Sequence, residues 1–245
     1  MSLLASLTSD ESIANEKDSV GGGGVLESNI YPAKVTLAYV TKSGSGALGL
    51  VVSAKTTEGR DIKQTLWMTS GTEKGCKNYY EKDGQKNYLP GYLAANALAL
   101  LTTGKEISGL ETETKVVNVY NSDARAEVPT KVEMVMDLLG KEILIGLIKQ
   151  TVNKTKKDDV TGVYLPTGET RDENEIDKFF RASDRKTTAE IRAQVEEAKF
   201  ADTWLEKWQG KVKDKTSKTA ATGAPGAPRA AAPAAAKKPA TSLFA

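Results

Sequence analysis

The sequence predicts a mainly β protein, one domain of strands with helices at its C-terminal end, flanked by two segments that cannot fold by themselves. Three observations lead there. Apolar residues recur with period two through Val35, Leu37 and Tyr39, through the Val-rich run from Leu48 to Ala54, and through Ile62, Leu66 and Met68 with the polar Gln64 in the same row, as strands with one buried face require. Turn-forming stretches, Ser43-Gly44-Ser45-Gly46 and Thr57-Glu58-Gly59-Arg60, separate these runs and make them a meander. Composition changes abruptly at both ends of the chain.

Residues 1–24 are small and acidic and finish in Gly21 to Gly24, so they predict a flexible N-terminal arm. From Lys211 onward the chain is Lys, Ala, Pro, Gly and Thr, with no large apolar residue before Leu243 and Phe244. Too little apolar surface is present to offset the entropy of ordering that backbone. Residues 211–245 are therefore predicted to be a disordered tail, and 25–210 to be the folded domain. The formal charge of +2 conceals an asymmetry, because the tail carries Lys211, Lys213, Lys215, Lys218, Arg229, Lys237 and Lys238 against Asp214 alone. The body is slightly acidic, so net charge by itself gives no support for a nucleic-acid partner.

The chain has no histidine, and Cys76 is its single cysteine. Internal disulfides, Ser-His and Cys-His nucleophiles, zinc clusters and His-based metal sites are all excluded. No cofactor, no metal and no enzymatic activity are expected. A reducing compartment is the natural setting. No apolar run approaches the length of a membrane span, and Leu3-Leu4 is followed by acidic residues rather than a signal-peptide core, so a cytoplasmic protein with no membrane partner is expected.

After the third strand a polar loop runs from Ser70 to Pro90. Tyr92 to Thr103 then has helical spacing, with Leu93, Ala97, Leu100 and Leu101 on one face and Gly104 as the C-cap. Lys115 to Tyr120 is a fourth strand. Thr130 to Asp137 begins a fifth strand region that resumes after Gly140 as Ile143 to Val152. Asp172 to Arg181 reads as a short helix. Thr188 to Gln209 reads as a longer one, docked by Ile191, Val195, Ala198, Leu205 and Trp208. Three strands, a helix and two strands is the order of the OB fold, a five-stranded Greek-key barrel with its helix between strands 3 and 4 and a face that binds single-stranded nucleic acid.

Gly44, Gly46 and Gly49 spell G-x-G-x-x-G, but strand rather than helix follows them, and the kinase version lacks its histidine and its Asp-Phe-Gly. Three turn glycines in a hairpin is the plainer account. Asp158-Asp159 and the run Asp172, Glu173, Glu175, Asp177 are carboxylates on polar stretches, most simply a solvated surface. The strongest constellation is the segment from Lys74 to Tyr92, in which Lys74, Lys77, Lys82 and Lys86 interleave with Tyr79, Tyr80, Tyr88 and Tyr92. Rings stack on any base and ammonium groups answer any phosphate, so this alternation suits single strands without base reading. Lys63, Trp67 and Thr69 share the strand face opposite Leu66 and Met68, and Arg60 sits in the adjoining turn. The alternative is that Trp67 and some tyrosines cap the barrel or line the interface of a protein partner, in a structural or adaptor protein built on an OB-like scaffold.

With these residues in view, the chain resembles the single-stranded DNA-binding proteins of tailed bacteriophages, an OB-fold group. The resemblance rests on Tyr31-Pro32-Ala33-Lys34-Val35, the hairpin from Lys42 to Gly49, the Lys/Tyr segment, the run from Leu138 to Gly146, and a low-complexity tail ending in Ser242-Leu243-Phe244-Ala245. It implies a protein that coats single strands during replication, recombination or repair and recruits replication or recombination proteins through its tail. The tails of the better-known members are acidic and this one is basic. Oligomeric state stays open, and a homo-oligomer is allowed.

Overall fold

The computed structural model describes residues 24–121, 124–158 and 164–216. The chain is mainly β, as expected. The predicted meander forms from β1 (Asn29–Lys42), β2 (Leu48–Thr56) and β3 (Asp61–Trp67), paired antiparallel in sequence order. β8 (Glu142–Lys157) pairs with the first half of β1 on its other side, and β9 (Tyr164–Arg181) pairs with β8. The strands run in space as β3-β2-β1-β8-β9. The sheet does not close into a barrel among the described residues. β3 and β9 share no backbone ladder there, and the Gln64 side chain accepts the Ile176 N–H at 2.6 Å instead.

One core lies inside these five strands and α1 (Pro90–Thr103), with Val35, Leu50, Val52, Leu66, Leu98, Ile145 and Phe179 among its fully or nearly buried members. A β-bulge between Val35 and Leu37 alters the expected pattern of β1. Val35 and Ala38 face this core, whereas Leu37 and Tyr39 turn to the opposite face. There they meet Val132 and Met134 of a hairpin formed by β6 (Glu113–Asn121) and β7 (Ala126–Met134). A third cluster, Ile148, Phe180, Ala201 and Trp204, docks α3 (Phe200–Trp208) on the outside of β8 and β9.

Several expectations are corrected. The segment from Ser70 to Pro90 is not simply loop but holds a hairpin of its own, β4 (Tyr79–Lys82) and β5 (Gln85–Tyr88), separate from the main sheet. Its turn is Asp83-Gly84 with φ of 53° and 76°, the doubly left-handed geometry that a two-residue hairpin turn requires. α1 ends at Gly104 as expected, but buries Ala95, Leu98, Ala99 and Leu101 rather than Leu93, which is 52% exposed. The fifth strand region is two strands, β7 and β8, which pair with opposite ends of β1, β7 also pairing with β6.

Asp172 to Arg181 is strand, not helix. Ile176, Phe179 and Phe180 have the i, i+3, i+4 spacing of a helix face, yet a bulge opposite Gly146 and Leu147 turns Ile176 and Phe179 of a strand to the same core, and Phe180 is buried on the other face beneath Trp204. The long C-terminal helix is two short ones, α2 (Thr188–Arg192) and α3, interrupted at Gln194 with φ 53°. Glu190 accounts for the break. Its carboxylate accepts the N–H of Thr187 in a capping box and the N–H groups of Lys199 and Phe200, which open α3.

The folded body also runs past Gly210. β10 (Val212–Asp214) pairs parallel with β8, Ser28 Oγ donates to the Lys211 carbonyl, and Lys215 bonds both Glu175 oxygens. Residues 211–216 therefore belong to the domain rather than the tail. The expectations for the arm at 1–23 and the tail at 217–245 fall outside the described residues. No helix among the described residues is long and apolar enough to cross a membrane.

Candidate nucleic-acid interface

Alternation along β3 sends Ile62 and Leu66 to the core and Lys63, Thr65 and Trp67 to the outer face. Trp67 pairs with Gly49 of β2, and its indole lies close against that glycine. A Cβ at position 49 would sit 2.9 Å from the ring and 2.8 Å from Thr65 Cγ2. Trp67 packs against the sheet at Gly49 and Thr65 and is 39% exposed. The third glycine of G-x-G-x-x-G thus makes room for an aromatic ring. Gly46 in the same turn packs against Thr72, whose N–H and hydroxyl both donate to the Ser45 carbonyl, so the motif locks two loops together.

Beyond β3 the chain passes through this locked loop into the β4–β5 hairpin. Cross-strand partners share a face. Tyr79 pairs with Tyr88 and Glu81 with Lys86 on one side, while Tyr80 pairs with Asn87 and Lys82 with Gln85 on the other. The tyrosines therefore lie on both sides of the hairpin. The ammonium groups of Lys77 and Lys86 lie 5.6 Å and 5.1 Å from the Tyr79 ring centre, so that ring holds two cations. Tyr88 packs against Tyr92 of α1 with ring centres 4.9 Å apart. Burial holds the Tyr92 phenol above its ordinary range, with Glu106 and Tyr88 adding to the rise and a hydrogen bond with Asn78 opposing it. Tyr80, on the far side, is 45% exposed and has neither ring nor ammonium over it among the described residues.

The lysines of this region are chemically available. None of Lys63, Lys74, Lys77, Lys82 and Lys86 forms an ion pair with a carboxylate among the described residues, although Glu73, Glu81 and Asp83 lie in the same segment. Some lysines elsewhere are paired, Lys149 with Glu27, Lys154 with Glu169 and Lys215 with Glu175, whereas others, such as Lys34, Lys55 and Lys141, likewise have no ion pair among the described residues.

Arg60 is placed apart. It sits at the opposite end of β3 from Trp67, about 20 Å away at ~3.3 Å per residue, and its guanidinium donates to the Gly24 carbonyl. Lys63 lies between the two ends, on the Trp67 face. Thr69 does not extend β3, and its hydroxyl instead accepts the Leu48 N–H at 2.8 Å. Cys76 is exposed and its thiol donates to the Gly46 carbonyl at 3.6 Å. The acidic run is engaged structurally: Asp172 accepts from Thr151, Glu173 from Gln150, and Asp177 from the Trp204 indole. Asp159 lies outside the described residues.

Two features of the surface escaped the sequence reading. The Asp-Gly pair flanked by Tyr79-Tyr80 and Asn87-Tyr88 is a strong hairpin signal that would have separated the tyrosines onto two faces. Val116 and Tyr120 of β6, 62% and 61% exposed, gave no signal, because only the packing of the opposite hairpin face against Tyr39 and Val51 determines which side looks outward. A scan against protein-family models finds no match, and neither does a search of curated proteins.

Proposed function

We propose that the protein binds single-stranded DNA without sequence preference, as a coating protein for single strands in phage DNA replication, recombination or repair. The observation that carries this reading is the coincidence of exposed rings with unpaired ammonium groups. Trp67 and Lys63 on the β3 face, Tyr80 and Lys82 on one side of the adjoining hairpin, and Tyr88 and Lys86 on its other side offer stacking surfaces beside charges that have no ion-pair partner among the described residues. Stacking with phosphate contact is what binds a strand irrespective of base. The strand order β3-β2-β1-β8-β9, with α1 following β3, supports an OB barrel left open at the β3–β9 seam and extended by the β6–β7 hairpin.

The test is a salt titration of labelled oligonucleotide binding, single- and double-stranded. The expected result is preference for the single strand, with log affinity falling linearly with log salt and a slope of about −0.7 per phosphate contact. No binding at low salt, or equal binding of both forms, overturns the proposal.

A further inference from the structure

The two outer edges of the β6–β7 hairpin differ: β7 pairs with β1 at Glu133 and Met134 and is protected along the rest of its length, whereas β6 has no second ladder partner among the described residues. β7 carries Pro129, paired with Asn118 in an unbroken register from Glu113↔Met134 to Asn121↔Ala126. Proline has no N–H to give a ladder, so it is tolerated where the strand faces solvent, and there it blocks further pairing. Lys131 and Glu133 charge the same strand. β6 has no such device. It is nine residues long, has neither proline nor bulge, and is uncharged from Val116 to Asn121.

In an antiparallel ladder, residues opposite a partner they do not hydrogen-bond point their N–H and C=O outward. Because Pro129 occupies such a position, so does Asn118, and by period two so do Val116 and Tyr120. The outward backbone groups of β6 thus belong to the residues whose side chains are most exposed. Val116 and Tyr120 are 62% and 61% accessible, beyond any other large hydrophobic among the described residues.

We propose that β6 pairs antiparallel with β6 of a second copy of this chain, about a two-fold axis at Asn118. That register places Val116 opposite the other copy's Tyr120 twice, Val117 opposite Val119 twice, and Lys115 opposite Asn121, while the two Asn118 side chains meet at the axis. Aromatic and β-branched residues are favourable cross-strand partners, and no like charges oppose each other. A two-fold contact must be self-complementary, and this strand is. The result is a continuous sheet β7-β6-β6-β7 across the dimer. The proposal does not depend on the nucleic-acid reading, since none of its residues belongs to that site.

Sedimentation velocity of the full chain across about 1–100 µM tests it, with Asn118→Lys and Asn118→Glu analysed singly and mixed. The wild type is expected to shift from monomer to dimer in that range. Each variant alone sets like charges together at the axis and weakens the dimer at least about tenfold. The equimolar mixture restores it as a heterodimer, which a misfolded variant could not do. Val116→Lys, facing Tyr120, weakens it as well. A wild type that stays monomeric, an Asn118→Lys protein that dimerises normally, or a mixture no better than its components each overturns the proposal.

Discussion

Replacing Tyr80 with alanine separates the two faces of the β4–β5 hairpin. Tyr80 and Tyr79 are neighbours in sequence and chemically identical, yet they point to opposite sides. Tyr79 already lies beneath two ammonium groups, at 5.6 Å and 5.1 Å, whereas Tyr80 is 45% exposed. Stacking of a base on an aromatic ring is worth about 1–3 kcal/mol by alanine substitution. Tyr80→Ala should therefore weaken single-strand affinity about 5- to 150-fold. The salt slope stays unchanged, because no phosphate contact leaves. Tyr79→Ala removes no stacking surface and only loosens two lysines, each held by about 0.5–1 kcal/mol. A loss below about fivefold is expected there. The hairpin stands outside the main sheet, so neither change should alter thermal stability by more than ~0.5 kcal/mol. Fluorescence anisotropy with a short oligonucleotide at two salt concentrations, beside thermal melts, gives all these quantities. Equal losses in the two variants, or wild-type affinity in Tyr80→Ala, would refute the assignment of faces.

Four further outcomes follow from particular contacts. Lys63→Ala and Lys82→Ala, at ammonium groups without ion partners, should each reduce the salt slope of binding by about one contact, read from the same titration. Gly49→Ala places a methyl 2.9 Å from the Trp67 ring; it should cost about 1–3 kcal/mol of stability in melts and diminish the tryptophan quenching expected if Trp67 stacks on a base. Truncation after Thr216 should leave the melting temperature unchanged, while truncation after Gly210 removes β10 and the Lys215–Glu175 pair and should lower it by about 3–10 °C. Burial of Glu190 works to raise its carboxyl pKa, but the N–H groups of Thr187, Phe200 and Lys199 and the Thr187 hydroxyl outweigh it and hold the group below the ordinary glutamate range. A depressed folded-state value contributes stability above the unfolded value that is lost as pH falls through the folded one. Glu190→Gln should therefore cost about 2 kcal/mol near neutral pH, and pH-dependent melts should show the gap closing below about pH 4.

What the sequence disclosed depended on whether local pattern and long-range pairing agreed. β2 and β3 were legible because alternation and turn glycines point the same way, and α1 because Gly104 stops a helical run. Bulges hid the rest. One residue inserted near Thr36 divides Val35 from Leu37 and Tyr39, and one at Asp177 gives a strand the spacing of a helix. Neither can be read locally, since a bulge is defined by the partner strand. Glu190 hid the break in the C-terminal helices for a related reason: a glutamate in a helical run looks like a good helix former until its carboxylate is seen capping two helices.

The candidate site lay between these cases, with its residues legible and its geometry not. Composition brought out the lysines and tyrosines, but what makes the hairpin part of one surface with β3 is a contact that no pattern announces. Gly91, at the start of α1, sits so close to Trp67 that a Cβ there would fall 2.1 Å from the Trp67 carbonyl oxygen. The base of the hairpin is closed by Leu89 N–H donating to Asn78 and by Ser70 N–H donating to Lys77. The β3 terminus, the hairpin and the first turn of α1 are thereby fixed to one another through main chain, and the Tyr88–Tyr92 contact spans two of them. Gly91→Ala should consequently disturb more than its own turn. It must displace either α1, which carries Leu98 and Leu101 into the core, or the hairpin, which carries the rings. If the hairpin yields, single-strand affinity falls while the melting temperature holds; if the helix yields, both fall together. Wild-type affinity and stability in Gly91→Ala would mean that β3 and the hairpin do not act as one surface, and stacking would then have to be sought on Trp67 and Tyr80 independently.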